Sequence, residues 1–315
     1  MSLRPVFLFS LPRSGSTMVQ RVLASHSEIS TAPEPWLLLP FLSAVREASV
    51  FAEYGEVPAA RAIRDFIERL PGGEAEYERQ LHRFVMRLYG EASDAQSSFF
   101  LDKTPRYHHV VEDIFRVFPD GKFIFLWRNP LAVTASIVDT WAAGRWSLGR
   151  WHQDLFAGLA RLIAAYEAHA DQAYAVRFES LIAHPSATWA GIFEYLGLAF
   201  DPSSLTLPAS TDEGGRMGDK VGAGRYEGLS KEPLEKWRIS LANPLRVRWC
   251  RSYLHWIGER RLAVMGYDLT ELLRSLNDVP RRPLIVSDAL RMTYGELTER
   301  RRRAAFRRLT KRGKW

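Results

Sequence analysis

The chain has 315 residues, of which 46% are hydrophobic, enough for one large domain or two small ones with a sizeable core. A single cysteine, Cys250, excludes an internal disulfide framework, and the longest apolar stretch, Trp36 to Leu42, is far shorter than the roughly 20 residues of a membrane helix. The net charge of +7 is concentrated, because residues 291–315 hold ten Lys/Arg against two Asp/Glu and leave the rest of the chain close to neutral.

Arg4 and Pro5 lead straight into an apolar run with no signal-peptide pattern, which predicts a soluble, cytoplasmic protein. Residues 5–10 read as a buried strand and 16–26 as a helix, joined by Leu11-Pro12-Arg13-Ser14-Gly15. A strand, a small-residue loop and a helix N-terminus aim backbone N–H groups at an anion. Ser14, Ser16 and Thr17 add hydroxyl donors, and Arg13 adds a fixed charge. A nucleoside-triphosphate loop would carry Gly-Lys here, whereas Ser16 follows Gly15.

Beyond the first helix, Ala32-Pro33-Glu34-Pro35-Trp36 places a carboxylate 21 residues after Arg13, where the chain returns to the sheet. Prolines on both sides predict an extended backbone at Glu34. Helical patterns follow at 36–53, 59–70 and 75–92, and a strand at 98–101 leads into Asp102-Lys103-Thr104-Pro105. After a helix at 107–118, the strand 122–127 ends in Arg128-Asn129-Pro130, a helix start with Asn as cap and Pro in the first turn. That helix, 131–142, carries Ser136 eight residues after Arg128. Helix 150–170, strand 173–178 and helix 186–196 come next, then a Gly-rich loop at 212–228 with Lys220 and Arg225, and helices at 231–240 and 244–265. Alternating helices and short apolar strands predict a parallel sheet covered on both faces. Ligands in such sheets sit at the C-terminal strand ends, so Arg13 and Arg128 belong on one edge.

Pro12-Arg13-Ser14-Gly15-Ser16-Thr17 resembles the 5′-phosphosulfate loop of sulfotransferases, which use 3′-phosphoadenosine-5′-phosphosulfate (PAPS) as donor. Phe123 to Ser136 resembles the 3′-phosphate motif of the same family. The segment Val176 to Leu181 with His184-Pro185, the Asp102-Lys103-Thr104-Pro105 segment of many bacterial and glycan-directed members, and the helix end Ile192 to Leu198 are further similarities. Together they span about residues 5–270. The resemblance implies a P-loop-like three-layer α/β/α fold, with a sulfotransferase domain over 1–280, and the charge and helix-forming residues of the remainder read as a basic helical tail over 281–315, outside the resemblance. Ser14, Gly15, Ser16 and Thr17 would cradle the 5′-phosphosulfate, Arg128 and Ser136 would hold the 3′-phosphate, and Phe178 would stack on adenine. Arg13 and Lys103 would stabilise charge on the sulfonate and leaving oxygen. The Arg13-to-Glu34 spacing is similar to that of protein-tyrosine sulfotransferases and implies Glu34 as general base. His108 and His109 hold a lesser claim to that role. No metal is required.

The acceptor stays open among carbohydrate, tyrosyl and specialised-metabolite or lipid hydroxyls. Aromatic segments (Trp36, Phe41, Phe51 and Tyr54; Trp141, Trp146 and Trp151) read as acceptor walls or as ordinary core, and Arg145 and Arg150 would suit an acidic acceptor. The tail reads as a solvated helix or as a surface for an acidic partner, and a homodimer is one option for the assembly. The rival readings are a kinase, which should carry the missing Gly-Lys, and a non-catalytic nucleotide-binding protein.

Overall fold

The computed structural model describes residues 3–46, 56–206, 231–280, 283 and 287–292. Five parallel strands form one sheet in the order β2-β3-β1-β4-β5: β1 (Arg4–Ser10), β2 (Ile29–Thr31), β3 (Phe99–Asp102), β4 (Lys122–Trp127) and β5 (Ala173–Arg177). Successive side chains of a strand point to opposite faces, and here the two faces have different characters. Phe7, Phe9, Phe123 and Phe125 line one face, where Phe115 stacks on Phe123 with ring centroids 4.0 Å apart. Val6, Leu8, Ile124, Leu126 and Val176 line the other.

The aliphatic face is covered by α1 (Ser16–Ala24), α8 (Phe178–Ala183) and α9 (Pro185–Leu196). The aromatic face is covered by α2 (Leu38–Ala44), α4 (Gly73–Glu91), α5 (Val111–Val117), α6 (Pro130–Trp141) and α7 (Leu159–Ala168), with α12 (Pro244–Ile257), α13 (Glu259–Val264) and α14 (Leu269–Asn277) outside them. Further described elements include the short helices α10 (Glu232–Glu235) and α11 (Trp237–Ser240) and helix α3 (Glu56–Ile67). The result is the expected three-layer α/β/α arrangement. Strand order reverses at β1, and the connections after β1 and β4 leave in the crevice this creates at the C-terminal edge.

Several element boundaries differ from the sequence reading. The edge strand β2 has only three residues and was absent from the predicted strands. The helix predicted at 107–118 is a 3₁₀ turn, Pro105–His109, followed by α5. The helix predicted at 150–170 begins as a 3₁₀ turn (Leu148–Trp151) and a π turn (Gln153–Gly158) before α7. There Gly158 backs onto the His108 ring so closely that a Cβ would lie 2.9 Å from Nδ1. The 244–265 pattern breaks at Gly258, whose φ of 80° no other residue adopts cheaply. Strand 173–178 ends one residue early, and Phe178 opens α8.

The Gly-rich segment with Lys220 and Arg225, the aromatics Phe51 and Tyr54, and residues 293–315 of the tail lie outside the described residues. Asp288, nearly fully buried, accepts a 2.7 Å hydrogen bond from Arg246 Nε, so core contacts reach past residue 280. Among the described residues no helix is long and apolar enough to cross a membrane.

Candidate active site

The loop after β1 turns through two left-handed residues, Arg13 (φ 67°) and Gly15 (φ 90°). Gly15 is the N-cap of α1 and makes no side-chain cap bond, so the first-turn amides of Ser16 and Thr17 have no intrahelical acceptor. Ser14 and Ser16 are buried, and Thr17 is half-buried. Glycine is required at position 15 twice over: its φ is left-handed, and a Cβ would lie 2.4 Å from Cε2 of Phe178. Arg13 bears the same backbone conformation with a side chain, at a cost of roughly 1–2 kcal/mol. Such strain concentrates where a side chain must be aimed.

The second anion motif starts where β4 ends. Asn129 Oδ1 accepts the Leu131 amide at 2.9 Å, Pro130 fills the first turn, and α6 runs into the core with Ser136 at its half-buried edge. The fold brings the two motifs into direct contact. Arg128 Nη1 donates to the Arg13 carbonyl at 2.8 Å, and Arg13 Nε donates to Ser136 Oγ at 3.3 Å. Arg13 Nη2 also reaches Thr140 Oγ1 at 3.4 Å, and its guanidinium lies 5.8 Å from the Trp141 ring centre. Thr140 was not read from the sequence, although it lies one turn beyond Ser136 on the same helix face. Trp141 is 42% exposed and stacks on Trp151, whereas Trp146 is buried.

Phe178 is buried, with its edge on Gly15 and its face 4.5 Å from the Arg128 guanidinium. It therefore packs between the two anion loops.

On the other side of β1, the register Phe7↔Asp102 ends the ladder with β3, and Lys103 follows directly at the C-terminal end of that strand. Lys103 is 1% exposed and donates to Glu34 Oε1 at 2.8 Å. Trp36 Nε1 donates to Glu34 Oε2 at 3.3 Å. The extended backbone expected at Glu34 is not found: its φ is 28°, and that of Trp36 is 55°. Tertiary bonds impose this turn. Thr104 Oγ1 accepts the Trp36 amide at 3.3 Å, and Gln20 of α1 donates to Thr31 Oγ1 and to the Ala32 carbonyl at 2.8 and 2.9 Å.

Beneath the pair, fully buried Asp102 accepts from the hydroxyls of Tyr89 (2.6 Å), Tyr107 (2.7 Å) and Thr104 (3.0 Å). Burial pushes the Asp102 carboxyl upward, opposed by these hydroxyls and by Lys103. Burial also raises both tyrosines. This network was missed, because hydroxyl donors 13 and 5 residues away carry no motif. His108 turns into the core, where its Nε2 lies 2.9 Å from Asp154 Oδ1, and burial lowers its pKa. His109 packs against it with the rings tilted by 43° and accepts from Arg161 Nη1 through Nδ1 at 3.2 Å. Among the described residues no group of three His, Cys, Asp or Glu side chains could hold a metal ion.

A model of the sulfotransferase family matches residues 5–202. The nodulation protein NoeE of Sinorhizobium fredii is 24% identical over 292 residues, covering 83% of this chain and 65% of NoeE. An uncharacterized protein of Aquifex aeolicus is 33% identical over 135 residues, 43% of this chain and 17% of its own. The chain thus spans less than two thirds of the length of these relatives. In fold it is similar to the sulfotransferase domain from the curacin biosynthetic pathway, with a TM-score of 0.55 and 20% identity over 84% of this chain and 97% of that one. It is also similar to the sulfotransferase domain of a Synechococcus olefin synthase, with a TM-score of 0.50 and 24% identity over 75% of this chain and 88% of that one. The family match covers the sheet, both anion loops and the Lys103 segment, and on it the chain belongs to the sulfotransferase family.

Proposed function

We propose that the protein is a PAPS-dependent O-sulfotransferase acting on a hydroxyl of a carbohydrate, tyrosyl, specialised-metabolite or lipid acceptor. The observation that carries this reading is the convergence of two anion motifs 115 residues apart, joined by the bond from Arg128 Nη1 to the Arg13 carbonyl. A nucleotide with phosphates at both its 5′ and 3′ positions needs two anion sites held at fixed separation. The open amides at the start of α1 suit one, and Arg128 with Ser136 suits the other.

Sulfuryl transfer is an in-line displacement in which the acceptor oxygen bonds to sulfur as the bond to the 5′-phosphate oxygen breaks. Positioning and charge stabilisation supply most of its catalysis, as in phosphoryl transfer. In this reading Glu34 takes the proton of the acceptor hydroxyl. Arg13 and Lys103 stabilise the sulfonate and the phosphate oxygen that leaves with the electron pair. Ser14, Gly15, Ser16 and Thr17 hold the 5′ group through backbone N–H and hydroxyl donors. Glu34 and Lys103 suit these roles because they are held against one another at the C-terminal end of β3. Trp141 and Trp151 offer an aromatic wall for the acceptor, and Phe178, adjoining Arg128, bounds the nucleotide side.

The test is a titration followed by unfolding temperature. Saturation with 3′,5′-diphosphoadenosine at a hundred times its dissociation constant should stabilise the protein by roughly 2.7 kcal/mol without metal. Stabilisation by ATP with Mg²⁺ and not by the 3′-phosphorylated nucleotide would overturn the reading.

A further inference from the structure

The segment Arg177-Phe178-Glu179 touches both anion loops, and Glu179 has no role in the chemistry described so far. Strands β4 and β5 pair in parallel up to Trp127↔Arg177, where the backbone ladder stops. Two residues further along each chain the ladder is continued by a side chain. Asn129 N donates to Glu179 Oε1 at 2.9 Å. The other carboxylate oxygen accepts from the Tyr267 hydroxyl at 2.6 Å. Tyr267 is fixed in turn, because Arg177 lies 5.7 Å from its ring centre and bonds the Gly266 carbonyl at 2.8 Å.

Asn129 is the residue that caps α6, and its backbone follows directly from Arg128. An amide held by a carboxylate fixes the plane of the Arg128–Asn129 peptide, and so the direction in which the Arg128 side chain leaves the chain. Ser136 rides on the helix that Asn129 starts. The Phe178 ring, one residue before Glu179, supports the Arg128 guanidinium from below. One three-residue segment therefore orients both members of the Arg128/Ser136 pair and backs the Gly15 turn.

We propose that Glu179 is a positioning residue for 3′-phosphate recognition, acting through the Asn129 amide and itself held by Tyr267. The proposal rests on the donor-site reading above. It predicts a loss in one ligand group only. Carboxylate-to-amide bonds are strong, so their removal should cost about tenfold or more in the affinity they orient.

The experiment measures affinities of the full chain for 3′,5′-diphosphoadenosine and for adenosine 5′-phosphate by calorimetric titration. The parent protein should prefer the first, and equal affinity would overturn the donor-site reading itself. Glu179→Ala should lower that preference by about tenfold, with adenosine 5′-phosphate affinity changed less than about threefold. Glu179→Gln retains an oxygen for the Asn129 amide and an N–H₂ toward the Tyr267 oxygen, and should restore most of the preference. Tyr267→Phe removes only the outer support and should lower the preference by a smaller factor, which keeps the test available if Glu179→Ala folds poorly. A preference that is unchanged in Glu179→Ala and Tyr267→Phe, or equal losses for both nucleotides, would overturn the role of Glu179 while leaving the donor site in place.

Discussion

Lys103 and Glu34, 69 residues apart in sequence, meet at 2.8 Å with the ammonium almost wholly buried and the carboxylate side chain 12% exposed. Removing one partner of a buried ion pair strands the other, which costs several kcal/mol. Lys103→Met keeps the aliphatic stem and leaves Glu34 unpaired but near solvent, so it should destabilise by about 2–4 kcal/mol in urea unfolding. Glu34→Gln keeps an oxygen for Lys103 but cannot take a proton. It should lower turnover by about 10²–10⁴-fold while 3′,5′-diphosphoadenosine affinity stays within about threefold. Full turnover in Glu34→Gln would remove Glu34 as base.

The contact of Gly15 with Phe178 gives a second prediction. Gly15→Ala meets two penalties: a left-handed φ of 90° and a Cβ at 2.4 Å from the Phe178 ring. The first costs roughly 1–2 kcal/mol for an L residue, and the second forces the ring or the loop to move. Pairing Gly15→Ala with Phe178→Leu relieves only the overlap. In a double-mutant cycle the pair should couple favourably by about 1 kcal/mol or more in unfolding free energy. Additive effects would mean that the ring is not what confines the loop.

The anion loops were legible because their signal is local. A short apolar strand, a Pro/Gly/Ser loop and a helix start fall within twenty residues, and the placement of Arg13 and Arg128 on one sheet edge follows from parallel topology. What the sequence hid is set by contacts between distant segments. The turn at Glu34 runs against the extended bias of a residue before proline, because Thr104 and Gln20 capture the neighbouring backbone. The irregular turns of 148–158 follow a helical pattern in sequence, yet Asp154 is drawn onto His108 and Arg106. Glu179 becomes visible only once the register Trp127↔Arg177 is known.

Asp102 tests how far the Lys103–Glu34 arrangement depends on its support. Its carboxylate takes three hydroxyl bonds, one of them from Thr104, the residue that accepts the Trp36 amide. Asp102→Asn turns one oxygen into a donor facing hydroxyls already used as donors, and should cost about 1–3 kcal/mol. Tyr89→Phe removes a single bond from the far side of the network, with a cost of about 0.5–1.5 kcal/mol. If Asp102 orders the base through Thr104, Asp102→Asn should lower kcat more than Tyr89→Phe after both are assayed well below their unfolding midpoints. Equal kcat values would confine Asp102 to stability.

The His108–His109 pair makes stability pH-dependent in a defined direction. Burial, the neighbouring His108 and the Arg161 guanidinium hold His109 down to about 3, against an ordinary value of 6.5. Arg161 donates to Nδ1, which fits a neutral ring. The folded protein therefore resists a proton that the unfolded chain accepts once the pH falls below about 6.5. Stability contributed by the neutral ring is present above that pH and is lost as the pH falls toward 3, where both states carry the proton. His109→Gln keeps an oxygen for Arg161 and does not titrate. Urea midpoints between pH 7 and 4.5 should fall less steeply in His109→Gln than in the parent, with a slope difference approaching one proton at its largest. Carboxylates common to both proteins cancel in this comparison. Parallel curves would show that His109 takes up its proton in the folded protein as readily as in the unfolded chain.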